Sequence, residues 1–261
     1  MPSDLDISRI LAETFVARVE HYAALPSTQE RAREAAANPF ETLRLLVVAD
    51  QQTAGRGREG NSWWTGEGNL ALSMLFDPAD FACPRRAVPA MSLAVSTAII
   101  DSIAPRIDKH RIGLHWPNDV FVAGKKLAGV LVEVMPDGRH IVGIGLNLNS
   151  RSADAPPELQ SRLATLRDLT GVVHPRTEII VRLLNELAGR LRQLGAEPDS
   201  LGLRFNDLCL QHGQTLTVHQ GERATTGRCL GIAPDGSLLL DTAEGPQAFC
   251  SGTLQPRQSA P

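Results

Sequence analysis

A chain of 261 residues, 43% of them hydrophobic, is long enough to bury a full core, as one large domain or as a large domain with a small companion. The formal net charge of −3 lacks the basic excess that binding to a nucleic-acid backbone requires, and no stretch reads as a membrane span or a signal peptide, so the cytoplasm is the expected compartment. The four cysteines, Cys83, Cys209, Cys229 and Cys250, lie far apart with no C-x-x-C pair, which argues against a zinc site or a disulfide framework and makes them small core residues.

Apolar spacing at Leu5, Ile10, Leu11, Phe15, Val16 and Val19 predicts a short amphipathic helix within 4–19, leading into a strand near 20–22. No three-helix pattern with a recognition helix precedes the main domain, so a DNA-reading module is not expected. Pro26-Ser27-Thr28-Gln29-Glu30 then opens a helix over 29–37, stopped by Asn38-Pro39. Ser27 with Glu30 fits a capping box; equally, a helix N-terminus carrying two hydroxyls offers a polar pocket.

Two apolar runs, 45–49 and 70–76, read as buried strands, and between them lies QQTAGRGREGNSWWTGEGN over 51–69. The expectation is a long mobile loop held at both ends by a sheet. Glycine allows close backbone approach to a ligand and arginine brings a planar fork of donors, so the loop suits a phosphate or carboxylate. The Trp63-Trp64 pair points to a lid with an apolar underside rather than a plain basic surface loop.

A buried helix is predicted over 88–104 and is followed by Leu114-His115-Trp116-Pro117-Asn118-Asp119, a strand ending in a rigid corner. Strands at 120–122, 127–135 and 141–149 then form a meander, in which Gly129, Gly143 and Gly145 signal close backbone approach. Lysine is scarce, with Lys109, Lys125 and Lys126 against 23 arginines, so Lys126 at the start of the meander is a pointed choice. It is placed to face the same cleft as Arg56 and Arg58, against the alternative of a solvated strand-end charge.

From 157 the pattern turns helical, with helices predicted over 158–169, 177–194 and 199–208. The second carries a core stripe of Ile180, Leu183, Leu184, Leu187, Leu191 and Leu194, with Thr177 near its N-cap and Gly195 at its stop. Short strands at 215–219, 226–232, 237–241 and 247–251, separated by Gly-rich turns, follow the pattern of a small antiparallel barrel. The expected division is 1–209, then 210–256, then a tail at 257–261, with disorder setting in from Gln255.

Three blocks thus stand in order: Gly55-Arg56-Gly57-Arg58-Glu59-Gly60 with Trp63, Trp116-Pro117-Asn118-Asp119 with Lys126-Leu127-Ala128-Gly129, and Gly143-Ile144-Gly145-Leu146-Asn147. Together they resemble the biotin protein ligases over roughly residues 22–256, of the type without an N-terminal DNA-binding domain. The resemblance implies an α+β fold, with a mixed sheet flanked by helices as in class II aminoacyl-tRNA synthetases and biotin ligases, and a C-terminal SH3-like β-barrel. It implies formation of biotinyl-5′-AMP from biotin and ATP with Mg²⁺, then transfer to a lysine of a biotin carboxyl carrier protein, from acetyl-CoA carboxylase or another biotin-dependent carboxylase. Nucleic acid and membrane are not implied as partners, and a homodimer is left open.

By the same resemblance, Ser27, Thr28, Gln29 and Gln52 line a biotin pocket, and Gly55, Arg56, Gly57 and Arg58 close over the carboxylate and phosphate. Trp63, Asn69 and Asn147 match nucleotide contacts, Lys126 matches a phosphate-side lysine beside Gly129, and Asp119 and Glu133 are candidates to hold Mg²⁺ or support the loop. Arg56, Arg58, Lys126 and His115 are the residues expected to act in the chemistry. Two departures stand out: Pro26-Ser27-Thr28-Gln29 replaces the usual Asp-Ser-Thr-Asn, and His115 replaces the lysine that usually precedes Trp-Pro-Asn-Asp. The competing readings are a lipoate ligase or octanoyl transferase, which a radiolabel competition separates, and a biotin or adenylate sensor without activity, which pyrophosphate release separates.

Overall fold

The computed structural model describes residues 5–38, 40–85, 89–107 and 112–256. Val88 and the tail 257–261, on which two of the expectations fall, lie outside them.

Alternation along the apolar runs decides how the main sheet is covered. In β2 (Leu45–Gln52), Leu46 and Val48 face the larger apolar cluster while Leu45 and Val47 face a smaller one. Side chains of a strand point alternately to opposite faces, so a run that is apolar throughout needs cover on both. The smaller cluster is roofed by α2 (Thr28–Ala36) through Ala32, Ala35 and Ala36. The larger contains α3 (Pro89–Ile103), buried on nearly every side, and the apolar stripe of α6 (Arg176–Ala196) packed on it.

Seven strands form this sheet. β1 (Arg18–Leu25) runs parallel to β2, and β3 (Leu70–Phe76), β7 (His140–Leu146), β6 (Lys125–Val134), β5 (Asp119–Val122) and β4 (Ile112–His115) follow in antiparallel order. A short helix α1 (Ile7–Glu13), capped by Asp6, precedes them. The order brings the glycines of the meander to the middle of the sheet, with Gly129 paired to Gly145.

A second, five-stranded antiparallel sheet follows α7 (Pro198–Leu208). Its strands are β8 (Thr215–Gln220), β9 (Arg223–Ile232), β10 (Leu238–Thr242), β11 (Gly245–Phe249) and β12 (Thr253–Pro256), in the order β11-β10-β9-β8-β12. It is fastened to the corner at Pro117. The fully buried Trp116 donates its indole N–H to Gly236 O (3.0 Å), its backbone N–H reaches Gln211 Oε1 (3.3 Å), and Ala90 N–H bonds to Asp235 O (3.1 Å).

Several local expectations need correction. The single helix expected over 158–169 is two, α4 (Pro157–Gln160) and α5 (Leu166–Thr170). The residues between leave the helical path to pair with β6: Lys126 N–H bonds to Arg162 O (2.9 Å) and Ala164 N–H to Lys126 O (2.8 Å), and Thr165 then caps α5. The Ser27 hydroxyl makes no cap bond and Glu30 turns to Arg56, so no capping box closes. Thr177 lies near the N-cap as expected, in the first turn of α6, its hydroxyl accepting from Asp6 N–H (2.9 Å), whereas Gly195 does not stop that helix: a Cβ there would meet Ala82 O at 2.6 Å, so its role is packing. Gln255 and Pro256, expected to be disordered, pair with Thr217 and Leu216, and Cys250 is exposed, unlike the other three cysteines. No helix among the described residues is long and apolar enough to cross a membrane.

Candidate active site

The two dense stretches of the sequence meet around a cavity of about 800 Å³. The start of α2, the β2–β3 loop, the β4–β5 corner, β6, β7 and the 159–163 segment form its wall, with Gly252, Thr253 and Leu254 reaching in from the second sheet. The β2–β3 loop is folded here as a small hairpin. Arg56 pairs with Ser62, Gly57 N–H bonds to Asn61 O (2.7 Å), and Trp63 N–H bonds to Gly55 O (2.9 Å).

One end of the cavity is rich in hydroxyls and amides. Thr28 donates both its backbone N–H (2.9 Å) and its hydroxyl (3.2 Å) to Gln52 Oε1. Ser73, buried in β3, lies 2.9 Å from Thr28 Oγ1 and 3.0 Å from Gln29 Oε1. A hydroxyl has one proton, so Ser73 serves only one of these acceptors, and the Thr28 proton is already directed to Gln52. Acceptors therefore outnumber donors. Ser27 Oγ is buried with no hydrogen-bond partner among the described residues and can both donate and accept, so this end suits a neutral ligand with N–H and C=O groups.

Cations gather beyond it. Lys126 Nζ is 2.8 Å from Asp119 Oδ2 and 5.5 Å from the Trp63 ring centroid, while Asp119 Oδ1 is buried with no hydrogen-bond partner among the described residues. Arg58 donates to Asn118 Oδ1 (3.1 Å) and lies 3.6 Å from Glu59, and Asn118 is itself fixed by donation to Val130 O (2.6 Å). Arg56 pairs with Glu30 of α2. His115 stacks on Phe121 with ring centroids 4.4 Å apart, and burial pushes its imidazole below the ordinary range, only partly opposed by the Asp119 carboxylate. Without a ligand, His115 is therefore the neutral member of this group.

The glycines of the meander make the floor. A Cβ on Gly145 would meet the Trp63 indole at 2.2 Å, and one on Gly143 would meet Gln29 Oε1 at 2.5 Å. Any side chain at either position would displace Trp63 or Gln29, so the sequence signal of close approach is met by these two residues.

Ser27, Thr28, Gln29, Gln52, Arg56, Gly57, Arg58, Trp63, His115, Lys126, Gly129 and Asn147 all line the cavity. Gly55 and Asn69 do not. Gly55 is enclosed by Trp63 O, and Asn69 is fully buried behind the wall, where its Oδ1 accepts from Leu148 N–H and Ser150 N–H, both at 3.0 Å. Glu133 is also away from it, bound to Arg33 by contacts of 2.7 to 3.1 Å. No group of three metal-ligating side chains occurs among the described residues. Ser73, Phe121, Arg162 and Leu254 line the cavity without having been singled out in the sequence. Of these only Phe121 carried a signal, as the apolar residue two past Asp119.

Residues 23–149 match the model of the biotin/lipoate A/B protein ligase family, and 212–254 match that of the biotin protein ligase C-terminal domain. The chain is 36% identical to a biotin–[acetyl-CoA-carboxylase] ligase of Paracoccus denitrificans, over 78% of this chain and 86% of that protein. It is 35% identical to the enzyme so named in Mycobacterium tuberculosis, over 76% and 73%. A solved structure of biotin protein ligase from Aquifex aeolicus in complex with biotin and ATP superposes with a TM-score of 0.81 at 30% identity, over 93% of this chain and all of that one.

Proposed function

This chain belongs to the biotin protein ligases, and from that premise we propose that it joins biotin to ATP as biotinyl-5′-AMP and passes the biotinyl group to a lysine of a biotin carboxyl carrier protein. The observation that carries the reading is the polarity of the cavity along its length. An end of uncharged hydroxyls and amides gives way to a cluster of cations, which suits a ligand with a neutral polar ring at one end and a carboxylate at the other.

In the first step the carboxylate oxygen bonds to the α-phosphorus, the bond from that phosphorus to the bridging oxygen breaks, and pyrophosphate leaves. In the second, a neutral lysine amine attacks the acyl carbon, AMP departs and an amide remains. Both steps crowd negative charge, so the protein's part is to place donors and cations before the reaction begins. Ser27, Thr28, Gln29 and Gln52, with Ser73 behind them, would take the ring. Lys126, Arg58 and the loop around Arg56 would take the carboxylate and α-phosphate. Trp63, on its glycine floor, and Asn147 would flank the nucleotide.

Magnesium fits the residues present only as a passenger of the nucleotide, since it is content with one or two carboxylates plus phosphate oxygens. Asp119, with its unpartnered Oδ1, is the cavity carboxylate placed for it, and the ion would neutralise phosphate charge there. The acceptor is proposed to be the carrier of an acetyl-CoA carboxylase, the substrate named for the two ligases above. Purified protein with ATP, biotin and a carrier domain should release pyrophosphate only when biotin is present and should add one biotin to the carrier. Absence of both products would overturn the proposal.

A further inference from the structure

The helix α2 serves the cavity at one end and is fastened along the rest of its length. Ser27, Thr28 and Gln29 stand at its N-terminus, and Glu30 in its first turn holds Arg56. Its buried face is Ala32, Ala35 and Ala36, packed on apolar residues of β2, β3 and β7. A helix keeps its place on a neighbour because side-chain ridges lock into grooves, and alanine ridges are shallow. This face alone therefore resists sliding along the helix axis only weakly.

Polar contacts to the β6–β7 hairpin supply the resistance. At the C-terminal end the buried Arg139 donates to Ala36 O (2.6 Å) and Asn38 O (3.4 Å), carbonyls at the helix end that lack the next turn, and Asp137 holds the same guanidinium (2.7 Å). Midway, Arg33 reaches both carboxylate oxygens of Glu133. Near the N-terminus, Gln29 Nε2 lies 3.4 Å from Ile141 O. Arg31 adds a pair with Glu20, but β1 contributes no side chain to the cavity. The hairpin does, since it carries Lys126 at its start and Gly143 and Gly145 in its returning strand.

We propose that Arg139 and the Arg33–Glu133 pair are positioning residues for biotin: they fix α2 along its axis against the hairpin, and so set the distance from the hydroxyl and amide end of the cavity to Lys126. This rests on the ligase reading. A ligand held at both ends, by its ring and by its carboxylate, loses hydrogen bonds at one of them when the two ends of the site shift relative to each other. The nucleotide is flanked instead by Trp63 and Asn147, neither of which hydrogen-bonds to α2.

Arg33 and Glu133 are partly exposed, so they can be changed with little risk to folding. In Arg33→Gln and in Glu133→Gln, the Kd for biotin by calorimetry without nucleotide should rise roughly 3- to 10-fold, the worth of one neutral hydrogen bond in the pocket. The two changes together should cost no more than either alone, and the reversed pair, Arg33→Glu with Glu133→Arg, should restore most of the affinity. Arg139→Lys should bind biotin more tightly than Arg139→Met. In pyrophosphate release KM for biotin should rise in step while KM for ATP at saturating biotin stays put, a split that a plain loss of stability would not produce. Unchanged biotin affinity in the single variants, whatever their melting temperatures, would make these contacts structural only and overturn the proposal, as would additive losses without rescue or an equal rise in both KM values. If the wild type binds no biotin, the ligase reading falls first and this assignment with it.

Discussion

Where the resemblance leads one to expect a permanent cation this chain carries the titratable His115, and the substitution His115→Lys measures what that costs. Burial lowers the imidazole pKa from its ordinary value near 6.5, with the Lys126 charge acting in the same direction and Asp119 against it. An anionic ligand raises the pKa again, so binding takes up part of a proton. Affinity owed to the charged ring is therefore present below the free-state pKa and is lost as pH rises through the liganded-state pKa. At pH 8, charging a group whose pKa is below about 6.5 costs at least roughly 2 kcal/mol. A charge-assisted hydrogen bond returns about 1.5 to 3 kcal/mol, so at that pH the two nearly cancel. A lysine has no such charging cost, and biotin should bind His115→Lys on the order of 30-fold more tightly than wild type at about pH 8, with the gap narrowing toward pH 6. The wild-type affinity should fall by at most about tenfold per pH unit across the window. Titration calorimetry of both proteins over that range, in buffers of different ionisation enthalpy, reads both the slope and the proton uptake. Parallel profiles would refute the reasoning and leave His115 as a neutral partner stacked on Phe121.

Removing the Arg58 guanidinium should weaken retention of the intermediate about 10- to 100-fold, so Arg58→Gly should release biotinyl-AMP that modifies lysines of bystander proteins; release no greater than wild type would exclude that role. Apart from Trp63 and Trp64, residues 54–66 contain little apolar surface of their own, and their hydrogen exchange should slow when biotin or biotinyl-AMP is added; equal protection with and without ligand would count against closure. Gly145→Ala puts a methyl group into the Trp63 indole, so nucleotide binding should be lost well before stability is, as calorimetry beside thermal unfolding would show. Trp116→Phe leaves the buried Gly236 carbonyl unpaired at a cost of about 1 to 3 kcal/mol, and an unchanged melting temperature would mean that this bond does not fasten the second sheet.

The legible parts of the site were those whose chemistry is local in the chain. The β2–β3 loop announces itself by glycines and arginines in one run, and the β4–β5 corner by a proline between an aromatic residue and two turn formers. Gly143 and Gly145 were legible for a related reason: glycine is costly in a strand unless something needs the space. Ser73 was not, because one serine in a strand buried at every position has no pattern to stand against. Arg162 was hidden by the spacing of 158–169, which reads as one helix; only pairing with Lys126, far off in sequence, unwinds its centre. Leu254 and its neighbours were out of reach for the same reason, since no local signal says that β12 starts beside the cavity. Gly55 and Asn69 show the converse, motif residues that the structure uses to shape the wall from behind.

The bond from Trp116 to Gly236 bears on how the chain could be cut. By sequence it divides cleanly before the second sheet, which invites removal of the last fifty or so residues as a spare module. Yet that sheet receives the indole N–H of the motif that carries Asn118 and Asp119, and Gln211, just past α7, receives its backbone N–H. Severed there, the remainder would expose its largest buried side chain to water and lose one lip of its own cavity. For anyone wishing to graft or shorten this protein, the indivisible unit is the whole run from α1 to β12, and tags or fusions belong beyond its ends.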